Sequence, residues 1–155
     1  MDAPVIRPLL AGGEAAACAD MLAHSDPWRT LGLGRTALLA QVEDPSRERY
    51  VALAGDALAG FLMLNLQGAF VGYVQTICVA PAFRNRGMGA ALIAFAEERI
   101  FREFPNVFLC VSAFNHGARR FYARLGYREV GELTDYLVAG QSEILLRKTR
   151  GPKLP

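Results

Sequence analysis

Apolar and polar positions alternate along this chain with two periods, and each change of period marks a new element. Val5 to Leu9 reads as a short first strand. From Glu14 to His24 the apolar positions Ala17, Cys18, Met21 and Leu22 recur at helical spacing, and Ser25-Asp26-Pro27 ends that helix. A loop from Trp28 to Gly34 follows, and Thr36 is placed to cap a short second helix running to Val42. Arg49 to Ala54 and Ala57 to Leu66 read as strands around Gly55-Asp56, the composition of a tight hairpin. Gly72 to Val79 is a further strand, rich in β-branched residues and stopped by Pro81, which has no N–H to offer a ladder. The helical period returns from Gly87 to about Phe104, with Leu92, Phe95, Ala96, Ile100 and Phe104 as its inward stripe. Val107 to Val111 is a buried strand. Asn115 then stands at the N-cap of a helix with apolar positions Ala118, Phe121, Tyr122 and Leu125, and Gly126 suits its C-terminal end. Tyr127 to Leu133, alternating imperfectly at Tyr127, Val130 and Leu133, and Glu143 to Arg147 are the last two strands.

The order β-α-α-β-β-β-α-β-α-β-β lacks the repeated βα units of a doubly wound fold. It predicts an α/β (α+β) domain on a single mixed, mostly antiparallel sheet of about seven strands flanked by helices. At 155 residues the chain suits one core, with a single domain over 1–150 and a loose tail over 151–155. Composition narrows the functional classes. The hydrophobic content is 52%, but no apolar run is long enough to span a bilayer, and the first ten residues lack the features of a signal peptide. A cytoplasmic location is expected. A net charge of +2 is too small to argue for nucleic acid. Cys18, Cys78 and Cys110 are scattered and odd in number, and His24 and His116 are isolated, so neither a disulfide framework nor a metal site is expected.

The stretch carrying the clearest chemistry is Arg84-Asn85-Arg86-Gly87-Met88-Gly89, between a strand and a helix. The first N–H groups of a helix have no internal partner, its dipole favours negative charge, and glycine lets an anion approach closely. Two guanidinium groups add charge-assisted donors. The arrangement suits a phosphate or pyrophosphate; a solvated basic turn is the plainer alternative. A P-loop is excluded by sequence, and the dinucleotide fingerprint fails at its third glycine, where Leu92 stands.

What fits is [QR]-x-x-G-x-[GA], met by Arg84, Gly87 and Gly89 after a strand ending in V-x-P. That pattern resembles the coenzyme A loop of the GNAT superfamily of N-acetyltransferases. A second pattern, N-x-x-A-x-x-[FY]-Y-x-x-x-G-[FY], is met by Asn115, Ala118, Phe121, Tyr122, Gly126 and Tyr127. The resemblance spans roughly Gly72 to Leu133 and implies a GNAT-like acyl-CoA N-acyltransferase fold with acetyl-CoA as co-substrate.

It also implies roles. Backbone groups of Ile77, Cys78 and Val79 would pair with the pantetheine arm. Amides of Arg84, Asn85, Arg86, Gly87, Met88, Gly89 and Ala90 would hold the pyrophosphate. Asn115 would bond the pantetheine arm besides capping its helix. Tyr122 would act as general acid to the departing thiolate, since a phenol with a pKa near 10 can donate to sulfur; the alternative is a core tyrosine, and a packed ring with its hydroxyl in the cleft satisfies both. Many relatives carry a glutamate near the position of Gln75. Glutamine takes no proton, so no base is assigned, and deprotonation is expected to reach solvent through a water held by Gln75. Trp28 is either a core anchor or a wall of the acceptor site.

The implied activity is acetyl transfer to a primary amine by direct attack in a ternary complex, the acceptor a small molecule or a peptide amine, with no nucleic acid or membrane partner and a homodimer allowed. The rival readings are a non-catalytic acyl-CoA-binding module and a protein lysine or N-terminal acetyltransferase.

Overall fold

In the computed structural model, which describes residues 3–155, seven strands form one sheet in the order β1-β2-β3-β4-β5-β7-β6. The strands are β1 Val5–Pro8, β2 Glu48–Ala54, β3 Ala57–Asn65, β4 Tyr73–Val79, β5 Asn106–Ser112, β6 Arg128–Thr134 and β7 Ser142–Thr149. Every neighbouring pair is antiparallel except β4 with β5. The helices are α1 Gly13–Ala23, α2 Arg35–Val42, α3 Met88–Phe101 and α4 His116–Arg124. The expected fold class is the one observed.

Period-2 alternation sends each strand's residues to two separate cores. Phe61 and Met63 of β3 join Cys18, Ala19 and Leu22 of α1 and Leu38 and Val42 of α2 on one face. Leu62 and Leu64 join Leu92, Ile93, Ala96 and Ile100 of α3 and Tyr122 of α4 on the other. Close packing of α3 on the sheet requires Gly60, where an added Cβ would lie 2.9 Å from Leu92 and 3.0 Å from the Cys78 carbonyl.

Several local expectations shift. Gly34, not Thr36, is the N-cap of α2, because its extended backbone leaves its carbonyl to accept from Leu38. Gly87 precedes α3 in the left-handed region, so the helix begins at Met88, and Ile93 rather than Phe95 fills the deepest part of its stripe. The imperfect alternation of β6 is a bulge: Glu129 pairs with Leu146 and Gly131 with Leu145, leaving Val130 unpaired and exposed. Asn115 caps α4 as expected, its side chain accepting from the Ala118 N–H at 3.2 Å. At the other end, Tyr127 N–H donates to the Tyr122 carbonyl and Gly126 N–H to that of Ala123. With Gly126 at φ 92°, that is a Schellman ending.

Candidate active site

The site begins with a fault in the ladder. Met63 pairs with Thr76 and Leu64 with Val74, so Gln75 is an extra residue bulged out of β4. A bulge bends its strand, and β4 then leaves β5. The two pair in parallel only at Tyr73–Phe108 and Val74–Leu109. Beyond that point the β5-facing edge of β4 pairs with no strand among the described residues. Its backbone groups are open to an extended ligand running between the strands.

A cavity of about 450 Å³ fills the gap. Gln75, Thr76 and Ile77 line one side, and Cys110, Ser112 and Tyr122 are among the residues closing it. A second cavity of about 280 Å³ shares Trp28, Ile77 and Asn115 with the first and adds Cys78, Val79 and Arg84. Together they lead from the sheet interior toward the start of α3. There, among the described residues, the N–H groups of residues 85–90 have no hydrogen-bond acceptor. Gly87 at φ 82° and Asn85 at φ 58° turn the chain into that start. The Arg84 side chain is already engaged: Nε donates to the Val79 carbonyl at 3.0 Å and Nη2 to the Ser25 hydroxyl at 3.1 Å. It ties the loop to the end of α1, leaving Arg86 as the neighbouring guanidinium with no partner among the described residues.

Tyr122 sits where α4 leans over the gap. Its ring packs edge-on against Phe121 and Tyr127 and is 6% exposed. Its hydroxyl bonds to no described residue, and the side chain lines the cavity. Burial pushes the phenol well above its ordinary value, so it stays protonated and is held as a donor. Trp28 is half-buried, packs against the α1–α2 core and also walls both cavities, so it is anchor and wall at once.

The chain resembles known proteins along most of its length. Residues 15–127 match the Acetyltransferase (GNAT) family. This chain belongs to the GNAT acetyltransferase family. N-alpha-acetyltransferase RimI of Mycobacterium tuberculosis is 28% identical over 156 residues, covering 96% of this chain and 94% of that protein. Blasticidin-S acetyltransferase of Streptomyces morookaense is 33% identical over 91 residues, 59% of this chain and 66% of that protein. Among solved structures, an aminoglycoside 6′-N-acetyltransferase complexed with coenzyme A has the same fold, with a TM-score of 0.77 at 19% identity over 97% of this chain and 99% of that one.

The GNAT protein is therefore an acyltransferase, an N-acetyltransferase with acetyl-CoA as co-substrate and an amine as acceptor. No helix among the described residues is long and apolar enough to cross a membrane, and no described group of His, Cys, Asp and Glu could hold a metal ion.

The structure brings Ile77, Cys78, Val79, Arg84, Asn115 and Trp28 to one cavity, and Gln75, Asn115, Trp28 and Tyr122 to the other. Arg86, Gly87 and Met88 line a small cavity of about 150 Å³ with Pro4 and Phe83. Gln75 is less free than expected: its amide oxygen accepts from Arg47 Nε at 2.7 Å. Sequence reasoning missed Glu143 and its neighbours. Glu143 is the cross-strand partner of Ser112, is 4% exposed and lines the larger cavity. Read along the chain it was only the first residue of the last strand. A charged residue heading an apolar strand run, Glu143-Ile144-Leu145-Leu146, was the available signal.

Proposed function

We propose that the enzyme binds acetyl-CoA with its pantetheine arm in the β4–β5 gap and its pyrophosphate at the α3 N-terminus, and transfers the acetyl group directly to a bound amine. The observation that carries this reading is the gap itself, an unpaired strand edge that ends at open helix amides and passes the Tyr122 hydroxyl. Ile77, Cys78 and Val79 supply the edge, residues 85–90 the anion-binding amides, and Asn115 a side-chain donor; the Arg84 N–H is already held by the Pro81 carbonyl. At Gly89 a Cβ would lie 3.4 Å from Phe121, so a larger side chain would enter the space between α3 and α4.

The thiols favour direct attack over an acyl-enzyme. Burial raises Cys18 to about 12 and also raises Cys78 and Cys110, so none of them is a thiolate at neutral pH. In a ternary complex the amine adds to the thioester carbonyl, and Tyr122 gives its proton to the departing sulfur. A phenol kept neutral by burial suits that donor role. The acceptor we favour is the α-amine of a peptide. Near full-length similarity to an N-alpha-acetyltransferase supports it. Tyr136 and Leu137, both exposed, line the same cavity as Trp28 and offer apolar surface to the residues that follow such an amine.

The test is acetyl-CoA-dependent acetylation of a panel of peptides, lysine analogues and small amines, read by mass spectrometry. Acetylation confined to small amines would refute the peptide acceptor, and acetyl-CoA binding with no transfer to any amine would leave the non-catalytic binding module.

A further inference from the structure

An ammonium acceptor must lose a proton before it can attack a thioester, and Gln75, whose amide oxygen already accepts from Arg47, cannot take it. The larger cavity holds a better candidate. Glu143 is 4% exposed, and its Oε2 makes no hydrogen bond to any described residue. Ser112, directly across the ladder, is 1% exposed, and its Oγ is equally without a partner. A glutamate is rarely buried this deeply alone, and native structures seldom leave two adjacent polar atoms unsatisfied. Both atoms belong to residues lining the cavity that Tyr122 also lines.

We propose that Glu143 is the general base of the transfer, receiving a proton from the acceptor's ammonium group in the cavity it shares with Tyr122. The assignment rests on the N-acetyltransfer reading above. In the first step the ammonium gives one proton to the carboxylate, which leaves the amine its electron pair. That pair forms the N–C bond at the thioester carbonyl, and the carbonyl π pair moves to oxygen. When the carbonyl re-forms, the C–S bond breaks, and sulfur leaves with the bonding pair and takes the Tyr122 proton. The second proton on nitrogen restores Tyr122, and Glu143 releases its own to solvent. Ammonium and thioester become amide, thiol and one free proton.

The surroundings suit the task. From β5, Ser112 and Cys110 share the face of Glu143, and Tyr73 of β4 and Tyr136 of the β6–β7 connection lie beyond them. From β6 the residue opposite is Leu133. The charged group on the same face of β7 is Arg147, held by Asn106 Oδ1 at 2.8 Å. Asp26 and Arg47 are the other charged groups lining the cavity. Among the described residues no cation is paired with the carboxylate, and burial pushes it above its ordinary value, opposed in part by the nearby Ser112 hydroxyl. A carboxyl raised toward neutrality is better matched to proton abstraction than one at its usual value. Tyr73 and Cys110 are also pushed up by burial, so both keep their protons and neither competes for the role.

The experiment is a pH–rate profile of the wild type and Glu143→Gln with one confirmed acceptor, alongside calorimetric titration with acetyl-CoA. Wild-type kcat/KM should level off below the amine's own pKa. Glu143→Gln should bind acetyl-CoA unchanged, fall about 10²-fold at pH 7, and recover most of that deficit once the pH passes the amine pKa. A variant profile that coincides with the wild type, or that lies below it by a constant factor at every pH, would overturn the assignment. Should Glu143→Gln not fold, Glu143→Asp serves instead: a slower enzyme that keeps the acid limb supports the base, and loss of the limb refutes it. Transfer to no amine by the wild type would bring down the acetyltransfer reading itself; transfer with an unaltered Glu143→Gln profile would bring down the base alone.

Discussion

Tyr122 shows how one residue can answer to two demands. Its ring is part of the α3–α4 core, between Phe121 and Tyr127, while its hydroxyl has no hydrogen-bond partner among the described residues and the side chain lines the cavity. Tyr122→Phe keeps the packing and removes only the donor. Its kcat should fall by about 10²-fold with acetyl-CoA affinity unchanged, measured by steady-state kinetics and calorimetry. An unchanged kcat, with chemistry shown to limit the rate, would return Tyr122 to a purely structural place. Trp28 carries a similar double load with the opposite emphasis. Because it both packs on the α1–α2 core and walls the cavities, Trp28→Ala should lower the melting temperature and also raise the acceptor KM about tenfold. Acceptor titrations on the variant, at a temperature where it remains folded, separate the two effects.

At the scale of elements, the two glycines at the start of α3 stand in different surroundings. Gly87 is required by its backbone, at φ 82°, with open space around it. At Gly89 a Cβ would find ordinary contact with Phe121 at 3.4 Å and Val79 at 3.9 Å, so only a larger side chain would fill the space between α3 and α4. Gly89→Val would press its branches into the space between α3 and α4 while leaving the buried stripe of α3 untouched. Coenzyme A affinity should drop by about tenfold or more, with a melting temperature close to wild type. Wild-type affinity by calorimetry would place the pyrophosphate elsewhere. The strand below is shaped just as firmly. At Gly72, φ 89°, a Cβ would fall 2.3 Å from the Asn106 carbonyl, and this contact sets where β4 and β5 meet before the Gln75 bulge parts them.

For the whole molecule, the buried Glu143 carboxyl is a cost to stability in its charged form. Its folded pKa is raised, so between the unfolded and folded values the native state holds the proton more tightly, and stability falls as pH rises through that window. Glu143→Gln removes the ionisation. Its melting temperature should exceed the wild type at pH 7.5, and the difference should close as the pH falls below the unfolded value, where the wild-type carboxyl is protonated in both states. Thermal melts at pH 7.5 and at about pH 3.5, below the unfolded glutamate value, decide it: equal differences at both would show that no charge is being buried. Glu48 has the opposite sign. Burial works against its charge, but Arg99 and Tyr50 outweigh it and hold the carboxyl below its usual range, so its contribution is present at neutral pH and lost in acid.

The sequence by itself determined the element order, the fold class, the basic glycine turn before α3 and the capped helix carrying Tyr122. These are local matters: side-chain period, proline and glycine punctuation, and residues that satisfy the ends of helices act within a few positions of one another. The tertiary structure decided what lies between those elements. That Gln75 bulges depends on how β4 registers with β3, and the resulting gap depends on β5 being parallel at only two positions. That Glu143 faces the cavity depends on the strand order β5-β7-β6, which sets the last strand beside Ser112, 31 positions earlier in the chain. Arg84 looked like a free anion ligand in sequence and is instead bound to Ser25, 59 positions away. Periodicity carries no information about which distant strand becomes a neighbour, because that is settled by burying both faces of the sheet at once.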